Sequence, residues 1–416
     1  MIAAPLSVET PLEEHVPSHA PAPAAFIGSG AYRRPSYGRN HPLAIPRVSL
    51  TFDLLRAYGA LPDGEIVQAR KAADFELEWF HTREYVAAIK RAEALGRVRH
   101  EHRERHRIGT LENPFFDRLF STPATAAGAS VQAAEAVLAG RVAFNPAGGM
   151  HHARPDAAQG FCYFNDVVLA VIRLRRVGLR VAYVDIDAHH CDGVEAAFAR
   201  DPEVLTVSLH MDTGYAYPGS GGGLDDAGSP DSRYTTVNVP LPRDVNDAEY
   251  RMVVEEVVPR AFARFRPDAV VLQAGTDMIG GDPLGKWRLA TETFLHAAGV
   301  VIAAAPRHAN GTVALMATGG GGYHPILLAR AWTGLWGLLS GRDLPEAIPA
   351  EGQALLRAAG WEPDDADGDA DLAAEQTARH AARLYASRLD DPPASSVRPH
   401  LAALREQVLE HPFLRR

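Results

Sequence analysis

Two acidic residues and a histidine at alternate positions make residues 181–193 the strongest candidate for chemistry. The segment reads VAYVDIDAHHCDG, with Asp185, Asp187 and His189 each two residues apart. Alternate residues of a strand point to the same face, so the three side chains can converge. Adjacent carboxylates resist burial unless a positive charge lies between them, and a divalent metal is the simplest one. The segment therefore indicates a metal site, with a solvated charged turn as the alternative.

Three other segments carry side chains of catalytic type after apolar runs. His151 and His152 follow two glycines in the segment GGMHHA. QAGTDMIGG carries Asp277, for which a turn carboxylate or a helix cap is the alternative. GGGGY presents Tyr323, and its glycines let the backbone approach a neighbour closely. A phosphate-binding loop is the rival for the glycines, but its Lys-Ser/Thr pair and spaced glycine pattern are missing.

A hydrolytic metal site explains these residue types together. Asp187, His189 and Asp277 can supply three protein ligands and leave a fourth position for water, as catalytic zinc requires. Water in that position becomes a nucleophile near neutral pH.

The remaining residues supply the acid-base and oxyanion roles. His151 and His152 can serve as general base and general acid, each needing a carboxylate to fix its tautomer. Asp185 and Asp192 are the nearest candidates for those carboxylates. The hydroxyl of Tyr323 can stabilise an oxyanion formed on a substrate carbonyl.

The elements that must position these residues form a repeated pattern of strand and helix. The predicted strands are residues 142–145, 180–186, 204–209, 235–239, 269–273 and 312–317, and the predicted helices are 50–58, 84–95, 123–138, 166–176, 193–199, 247–265, 288–305 and 325–339. Continuous apolar strands indicate a parallel sheet covered by helices, which places sites at the carboxyl ends of the strands. The fold class is therefore α/β.

The composition is that of a globular protein with a large core. Of the 416 residues, 46% are hydrophobic and 22% are charged. The net charge is −9 and no long basic block occurs, so no nucleic-acid partner is expected. The two cysteines, Cys162 and Cys191, are too few for a disulfide scaffold and favour a cytoplasmic location.

Two further segments bear on location and binding. The most apolar stretch, residues 297–305, is about half of the ~20 residues that span a bilayer, so no membrane partner is expected. The charged run at residues 97–107 contains three histidines and is either a metal or anion patch or a solvated loop or helix end. The second interpretation is favoured.

The combined motifs resemble the histone deacetylase family, including its bacterial acetoin-utilisation and acetylpolyamine amidohydrolase-like members. The motifs that carry the resemblance are, in chain order, GGMHHA, GFCYFND, DIDAHHCDG, SLH, YPGSG, QAGTDMIGGDPLG and GGGGY. The resemblance implies the arginase–deacetylase fold, a three-layer αβα architecture with a central, mostly parallel sheet of about eight strands. The similarity covers about residues 26–341, the expected catalytic domain. The Pro- and Ala-rich start indicates a flexible N-terminal tail (1–25), and the change in composition after the catalytic domain indicates a helical C-terminal extension (342–416).

The resemblance also implies specific roles for the candidate residues. Asp187, His189 and Asp277 correspond to the metal ligands. His152 corresponds to the general base held by Asp192, and His151 to its electrostatic partner held by Asp185. Tyr323 corresponds to the tyrosine that polarises the substrate carbonyl. The matches to residues that contact substrate are Gly160, Phe161, Tyr217 and Leu284 in a narrow tunnel and Glu112 at its rim.

The cofactors that the resemblance implies are a catalytic Zn²⁺, with Fe²⁺ as the alternative metal, and a structural K⁺. The potassium ion would lie near Asp185, Asp187, His189, Ser208 and Leu209 and bind main-chain oxygens. The partner is an acylated amine, either a lysine side chain or a small molecule, and association into a homo-oligomer is left open.

Two residues depart from the family pattern. Cys191 stands where the family usually has glycine, which puts the freedom of that loop in question. The segment reads AYPG, so Ala216 replaces the first aromatic residue of the usual FFPG. A wider pocket is expected there.

The expected activity is that of a zinc-dependent amidohydrolase that removes an acetyl or other short acyl group from an amine. One rival is a binuclear manganese ureohydrolase of the arginase kind, which needs a second set of ligands where the sequence suggests one. The other rival is a protein that binds acylated amines without turnover.

Overall fold

A single parallel sheet of eight strands organises the protein. The computed structural model describes residues 23–34, 36–38, 41–359, 380–385 and 397–415. The strands are β1 (Ala25–Gly28), β2 (Ile66–Gln68), β3 (Ala143–Asn145), β4 (Val181–Asp185), β5 (Val204–Met211), β6 (Thr236–Leu241), β7 (Ala269–Gln273) and β8 (Leu315–Thr318). Their order is β2-β1-β3-β8-β7-β4-β5-β6, and every pairing is parallel.

Helices cover both faces of the sheet. They are α1 (Arg47–Ala57), α2 (Asp74–Leu77), α3 (Arg83–Leu95), α4 (His100–His106), α5 (Ser121–Leu138), α6 (Asp166–Arg175), α7 (Asp192–Phe198), α8 (Asp247–Phe265), α9 (Thr291–Ala304), α10 (Pro325–Ser340), α11 (Ala350–Ala358) and α12 (Pro399–Leu409). Helices α1, α8, α9 and α10 pack on one face, and α5, α6 and α7 pack on the other. The three-layer αβα architecture is thereby confirmed.

Strand β4 shows why the strands are apolar throughout. Val184 contributes to the core on the α8 side, whereas Tyr183 contributes to the core on the α6 side. Successive side chains of a strand point to opposite faces, and both faces here are covered, so both positions must be apolar. All five residues of β4 are buried.

The register of the central strands gathers their polar ends into one row. Asp185 of β4 pairs with Gln273 of β7, Gln273 pairs with Thr318 of β8, and Thr318 pairs with Asn145 of β3. Parallel strands all end at the same edge of the sheet, so the loops that follow β3, β4, β7 and β8 meet there.

The six predicted strands are confirmed, with shifts at their ends. Strands β1 and β2 were missed. Turn-forming residues follow β1 at once and obscure its short apolar run, and β2 is a partly buried edge strand without a long apolar run. The predicted strand at 312–317 begins later, at Leu315, and the predicted helix at 288–305 is α9. The charged run forms the short helix α4, in which His106 is buried and its Nδ1 donates to the carbonyl of Asp156.

The two ends of the chain are described only in part. Residues 1–22 of the expected tail lie outside the described residues, and strand β1 already begins at Ala25. Of the expected extension, α12 packs against α8, where Arg398 lies 2.7 Å from the carboxylate of Glu249. No described helix is long and apolar enough to cross a membrane.

Candidate active site

The three candidate metal ligands meet at the carboxyl ends of β4 and β7. Asp187 and His189 follow β4 directly, and Asp277 follows β7. The Nδ1 atom of His189 lies 3.0 Å from Oδ1 of Asp187 and 2.9 Å from Oδ2 of Asp277. Ligand-type atoms of the three residues all lie within 4.8 Å of one another. Two carboxylates and an imidazole at this spacing are a donor set that suits a divalent transition metal.

Burial makes it costly to keep the side chains of this cluster charged. Asp187 is 1% exposed and Asp277 is fully buried. Burial and the charge of Asp187 together raise the pKa of Asp277 to about 7. Burial opposes a charged His189, but Asp277 and Asp187 outweigh it and raise the pKa of that imidazole well above its usual value. Two buried carboxylates thus have a single imidazolium between them, and a divalent cation would supply the missing positive charge.

Two glycines leave room for the carboxylates. A Cβ on Gly275 would lie 2.1 Å from Oδ2 of Asp187, and a Cβ on Gly321 would lie 2.0 Å from Oδ2 of Asp277. The backbone N–H of Gly321 also donates to Oδ2 of Asp187 over 2.6 Å. The glycine run after β8 therefore allows the main chain to touch the ligand carboxylates, as its sequence predicts.

Both histidines of GGMHHA are paired with a buried carboxylate. Nδ1 of His151 lies 2.7 Å from Oδ2 of Asp185, and Nδ1 of His152 lies 2.7 Å from Oδ1 of Asp192. The Nε2 atoms of the two histidines are 3.0 Å apart. The structure thus forms the two pairs that the family resemblance implies.

The two histidines differ in their affinity for a proton. Burial opposes a charge on His151, but Asp185 and Asp187 outweigh it and raise its pKa to about 9. Burial and the neighbouring charge of His151 lower the pKa of His152 to about 4. At neutral pH His152 is therefore a free base and His151 is charged.

Residues that the sequence analysis missed hold these carboxylates. Oδ2 of Asp192 accepts from Arg154 over 2.6 Å and from Gln159 over 2.5 Å. The hydroxyl of Tyr183 donates to Asp185, two residues further along β4. The i to i+2 spacing of Tyr183 and Asp185 is a signal that sequence could have provided, whereas nothing local relates Gln159 to Asp192.

Tyr323 is positioned by another missed residue, Asp282. Oδ2 of Asp282 accepts from the backbone N–H of Tyr323 over 2.7 Å, while its Oδ1 accepts from the N–H groups of Leu284 and Gly285. Burial and the nearby Asp277 raise the pKa of Tyr323 well above its usual value, so its hydroxyl keeps its proton. Asp282 thereby ties two pocket residues, Tyr323 and Leu284, to one carboxylate.

One cavity of about 500 Å³ collects the predicted pocket residues. Its lining includes His152, His189, Tyr323, Gly160, Phe161, Tyr217, Leu284, Glu112 and Ala216. The rings of Phe161 and Tyr323 are 6.0 Å apart, and those of Tyr217 and His152 are 4.8 Å apart, both edge to face. The cavity therefore leads between aromatic side chains to the metal and histidine clusters.

Cys191 does not require the conformational freedom of glycine. Its φ is −78° at the residue before α7, so an ordinary side chain fits. The thiol is fully buried in the core on the α6 side, together with Val194 and Phe198. The cysteine is therefore accommodated by packing, and burial raises the pKa of its thiol well above the usual value.

A second group of ligand-type atoms shares Asp187. His151, Asp185 and Asp187 also have such atoms within 4.8 Å of one another. The sequence suggested one set of three metal ligands, whereas the described residues form two such groups. In this group, however, Nδ1 of His151 and the Oδ2 of Asp185 already bond to each other. The implied potassium ion stays a prediction, although Asp185 and Ser208 are paired between β4 and β5.

Comparison with known proteins places this site in a family. A model of the histone deacetylase domain matches residues 41–339. Histone deacetylase 8 of Xenopus tropicalis is 37% identical over 305 residues, which are 73% of this chain and 80% of that protein. Histone deacetylase 3 of Oryza sativa is 39% identical over 320 residues, which are 75% of this chain and 60% of that protein.

A solved structure agrees with these sequence matches. The crystal structure of an HDAC homolog from Aquifex aeolicus matches with a TM-score of 0.84 and 36% sequence identity, over 93% of this chain and 100% of that chain. A crystal structure of an HDAC homolog complexed with SAHA gives the same TM-score of 0.84. The chain therefore belongs to the histone deacetylase family.

Proposed function

We propose that the protein is a zinc-dependent amidohydrolase that removes an acetyl or other short acyl group from an amine. The observation that carries the proposal is the meeting of two histidine–carboxylate pairs and a metal-type cluster beside one cavity, which His152, His189 and Tyr323 line. Hydrolysis of an amide needs a base for water, an acid for the leaving amine and a donor for the oxyanion. Each of these three roles has a residue in the cavity.

The metal would be held by Asp187, His189 and Asp277. Bound there, a divalent cation would polarise the amide carbonyl and lower the pKa of a water molecule. Zinc fits a donor set of two carboxylates and one imidazole, and iron(II) is the alternative.

Proton transfer falls to the two histidines. His152 lines the cavity and is neutral at pH 7, so its Nε2 can take a proton from the attacking water. The oxygen of that water bonds to the amide carbon, the C–N bond breaks, and a histidine returns a proton to the amine nitrogen. His151 remains charged beside Asp185 and Asp187, which favours the negative charge that develops on the substrate.

The remaining groups bind and orient the substrate. The hydroxyl of Tyr323 keeps its proton and can donate to the carbonyl oxygen. The aromatic side chains of Phe161 and Tyr217 suit an extended methylene chain, such as that of acetyl-lysine or an acetylated polyamine. The proposed substrates are therefore acylated amines with a straight chain.

Substitution of the two key residues tests the mechanism. We expect His152→Ala to lower kcat by at least about a hundredfold and Tyr323→Phe by about a hundredfold, because each removes a group that acts in the transition state. Turnover of an acetyl-lysine peptide would be measured together with zinc content and the midpoint of thermal unfolding. His100→Ala, an exposed residue of α4, is the matched control. Wild-type rates in either active-site variant would contradict the mechanism.

The substrate requires a direct comparison. Turnover should be measured on an acetyl-lysine peptide, free acetyl-lysine, acetylputrescine and longer acyl chains, with the metal content of the same preparation. One divalent ion per chain and amine release are expected. Two manganese ions per chain would favour the ureohydrolase, for which the second group around Asp185 offers ligands. Tight binding of these amides without amine release would favour a binding protein.

A further inference from the structure

Glu112 joins two separate loops of the cavity wall through one oxygen. Its Oε1 accepts from the backbone N–H of Gly160 over 2.9 Å and from the hydroxyl of Tyr217 over 2.8 Å. Gly160 belongs to the loop that carries Phe161, and Tyr217 belongs to the loop after β5. Gly160 and Tyr217 lie 48 and 105 positions after Glu112 in the chain, so both contacts depend on the tertiary structure.

The other oxygen of Glu112 is also engaged. Oε2 lies 3.1 Å from a nitrogen of Arg107 and 3.4 Å from the amide nitrogen of Asn113. A carboxylate oxygen has two lone pairs, so Oε1 has a donor for each of them, whereas Oε2 has only an exposed ion pair and a long contact. The shared oxygen Oε1 is therefore fully used by the cavity wall.

Both residues that Glu112 holds lie against His152. A Cβ on Gly160 would come within 2.4 Å of Cδ2 of His152, which shows how closely that backbone approaches the imidazole. The ring of Tyr217 lies edge to face with the imidazole, with centroids 4.8 Å apart. Movement of either loop would therefore alter the width of the cavity and the space around His152.

We propose that Glu112 is a positioning residue that connects the Gly160 and Tyr217 loops, and that it limits the cavity to unbranched chains. It acts through the walls and not by gripping the substrate backbone, which is the role that the family resemblance implies. Tyr217 of the AYPG segment stands where the usual FFPG pattern has its second phenylalanine. Its hydroxyl makes a hydrogen bond to Glu112 that a phenylalanine would lack. The proposal rests on the amidohydrolase function proposed above.

Two substrates separate the two roles. An acetyl-lysine peptide has backbone amides around the acetylated side chain, whereas acetylputrescine has none. We expect Glu112→Ala to lower kcat/KM by about tenfold on both substrates, because hydrogen bonds to a charged group are lost from the wall in each case. A loss on the peptide alone would overturn the proposal in favour of a backbone grip, and no loss on either substrate would also overturn it.

Further variants separate positioning from general damage. Glu112→Gln keeps an oxygen acceptor for Gly160 and Tyr217 and should retain most of the activity. Tyr217→Phe should weaken turnover, and the double variant Glu112→Ala/Tyr217→Phe should be no worse than Glu112→Ala, since both break one connection. Additive losses would overturn the proposal. Glu104→Ala on α4, whose side chain is exposed, is the matched control.

Selectivity supplies a readout that simple destabilisation would not change. The preference for a straight acetylated amine over one branched beside the nitrogen should fall about tenfold in Glu112→Ala, because the loops are no longer held together. An unchanged preference would count against the proposal.

Hydrogen exchange tests the connection without relying on turnover. Amide exchange in segments 158–163 and 213–219 should be faster in Glu112→Ala than in wild type and in Glu104→Ala. Unchanged exchange in both segments would overturn the proposal. An inactive wild-type protein with faster exchange in Glu112→Ala would instead contradict only the amidohydrolase function.

Discussion

At the scale of single residues, His151 and His152 show how position determines protonation. The two are adjacent in the chain, yet His151 lies near Asp185 and Asp187 while His152 has one carboxylate and a charged neighbour. The pKa of His151 rises to about 9 and that of His152 falls to about 4. A charged group and a free base thus coexist at neutral pH, and the free base is the one that can accept a proton.

Glu195 is a partly buried acid outside the proposed reaction, with a side chain that is 20% exposed, and its titration should affect stability. Burial raises its pKa from 4.5 to about 7. Between these values the native state holds a proton that the unfolded state has lost, so the free energy of unfolding falls as pH rises through this window. We expect Glu195→Gln to increase that free energy by about 1–3 kcal/mol at pH 8 and to change it little near pH 4.5.

Urea unfolding of Glu195→Gln and wild type at the two pH values would check this expectation. The exposed residue Glu104, changed to Gln, is the control. Equal effects of Glu195→Gln at both pH values would contradict the assigned cause.

At the scale of elements, the loops after β4, β7 and β8 form the site because the three strands are neighbours in register. Asp187 follows β4, Asp277 follows β7, and the glycines follow β8. The main chain after β8 fills the space beside both carboxylates, which leaves little room for any side chain. The positions of the two candidate ligand carboxylates therefore depend on this loop as well as on the strands that carry them.

Gly321→Ala tests this dependence. Its Cβ would lie 2.0 Å from Oδ2 of Asp277 and 2.9 Å from Oδ2 of Asp187, so a ligand carboxylate must move. We expect the zinc content to fall and kcat/KM to drop by at least about a hundredfold, because small displacements of catalytic groups are costly. Gly299→Ala in α9, where nothing lies within 4 Å, makes the same chemical change and should have little effect. Full zinc content and activity in Gly321→Ala would refute the packing account.

At the scale of the whole molecule, the C-terminal helix α12 is attached to the rest of the structure through α8. Arg398 bonds to both oxygens of Glu249 and to Asp244. Glu249 is buried and also belongs to the capping box of α8. The contact therefore joins the C-terminal segment to the side of the sheet that holds β5 and β6.

Loss of Arg398 should destabilise the protein without altering its chemistry. Arg398→Ala leaves the buried Glu249 without its cation, and we expect the free energy of unfolding to fall by about 1–2 kcal/mol. Urea unfolding and kcat on the same preparation would measure this. Arg415→Ala, which removes an exposed ion pair with Glu410, should change stability by less than about 0.5 kcal/mol. A similar stability for both variants would show that the Arg398 contact is not important.

The sequence alone determined the α/β class, six of the strands and the candidates for chemistry. Apolar runs identified six strands, whereas β1 runs directly into turn-forming residues and β2 is a partly buried edge strand. Asp187 and His189 were recognisable because alternate residues after a strand share a face. These are local properties, which nearby residues determine.

The contacts between those candidates were decided by the tertiary structure, because residue spacing alone does not determine them and only the family resemblance had implied the pairs. The pairing of His151 with Asp185 and the contact of Asp277 with His189 join residues 34 and 88 positions apart. The two hydrogen bonds to Oε1 of Glu112 likewise depend on loops that are brought together only by the folded chain. The contacts between residues that follow β3, β4 and β7 are determined by strand order and register, because these bring the loops to the same edge of the sheet.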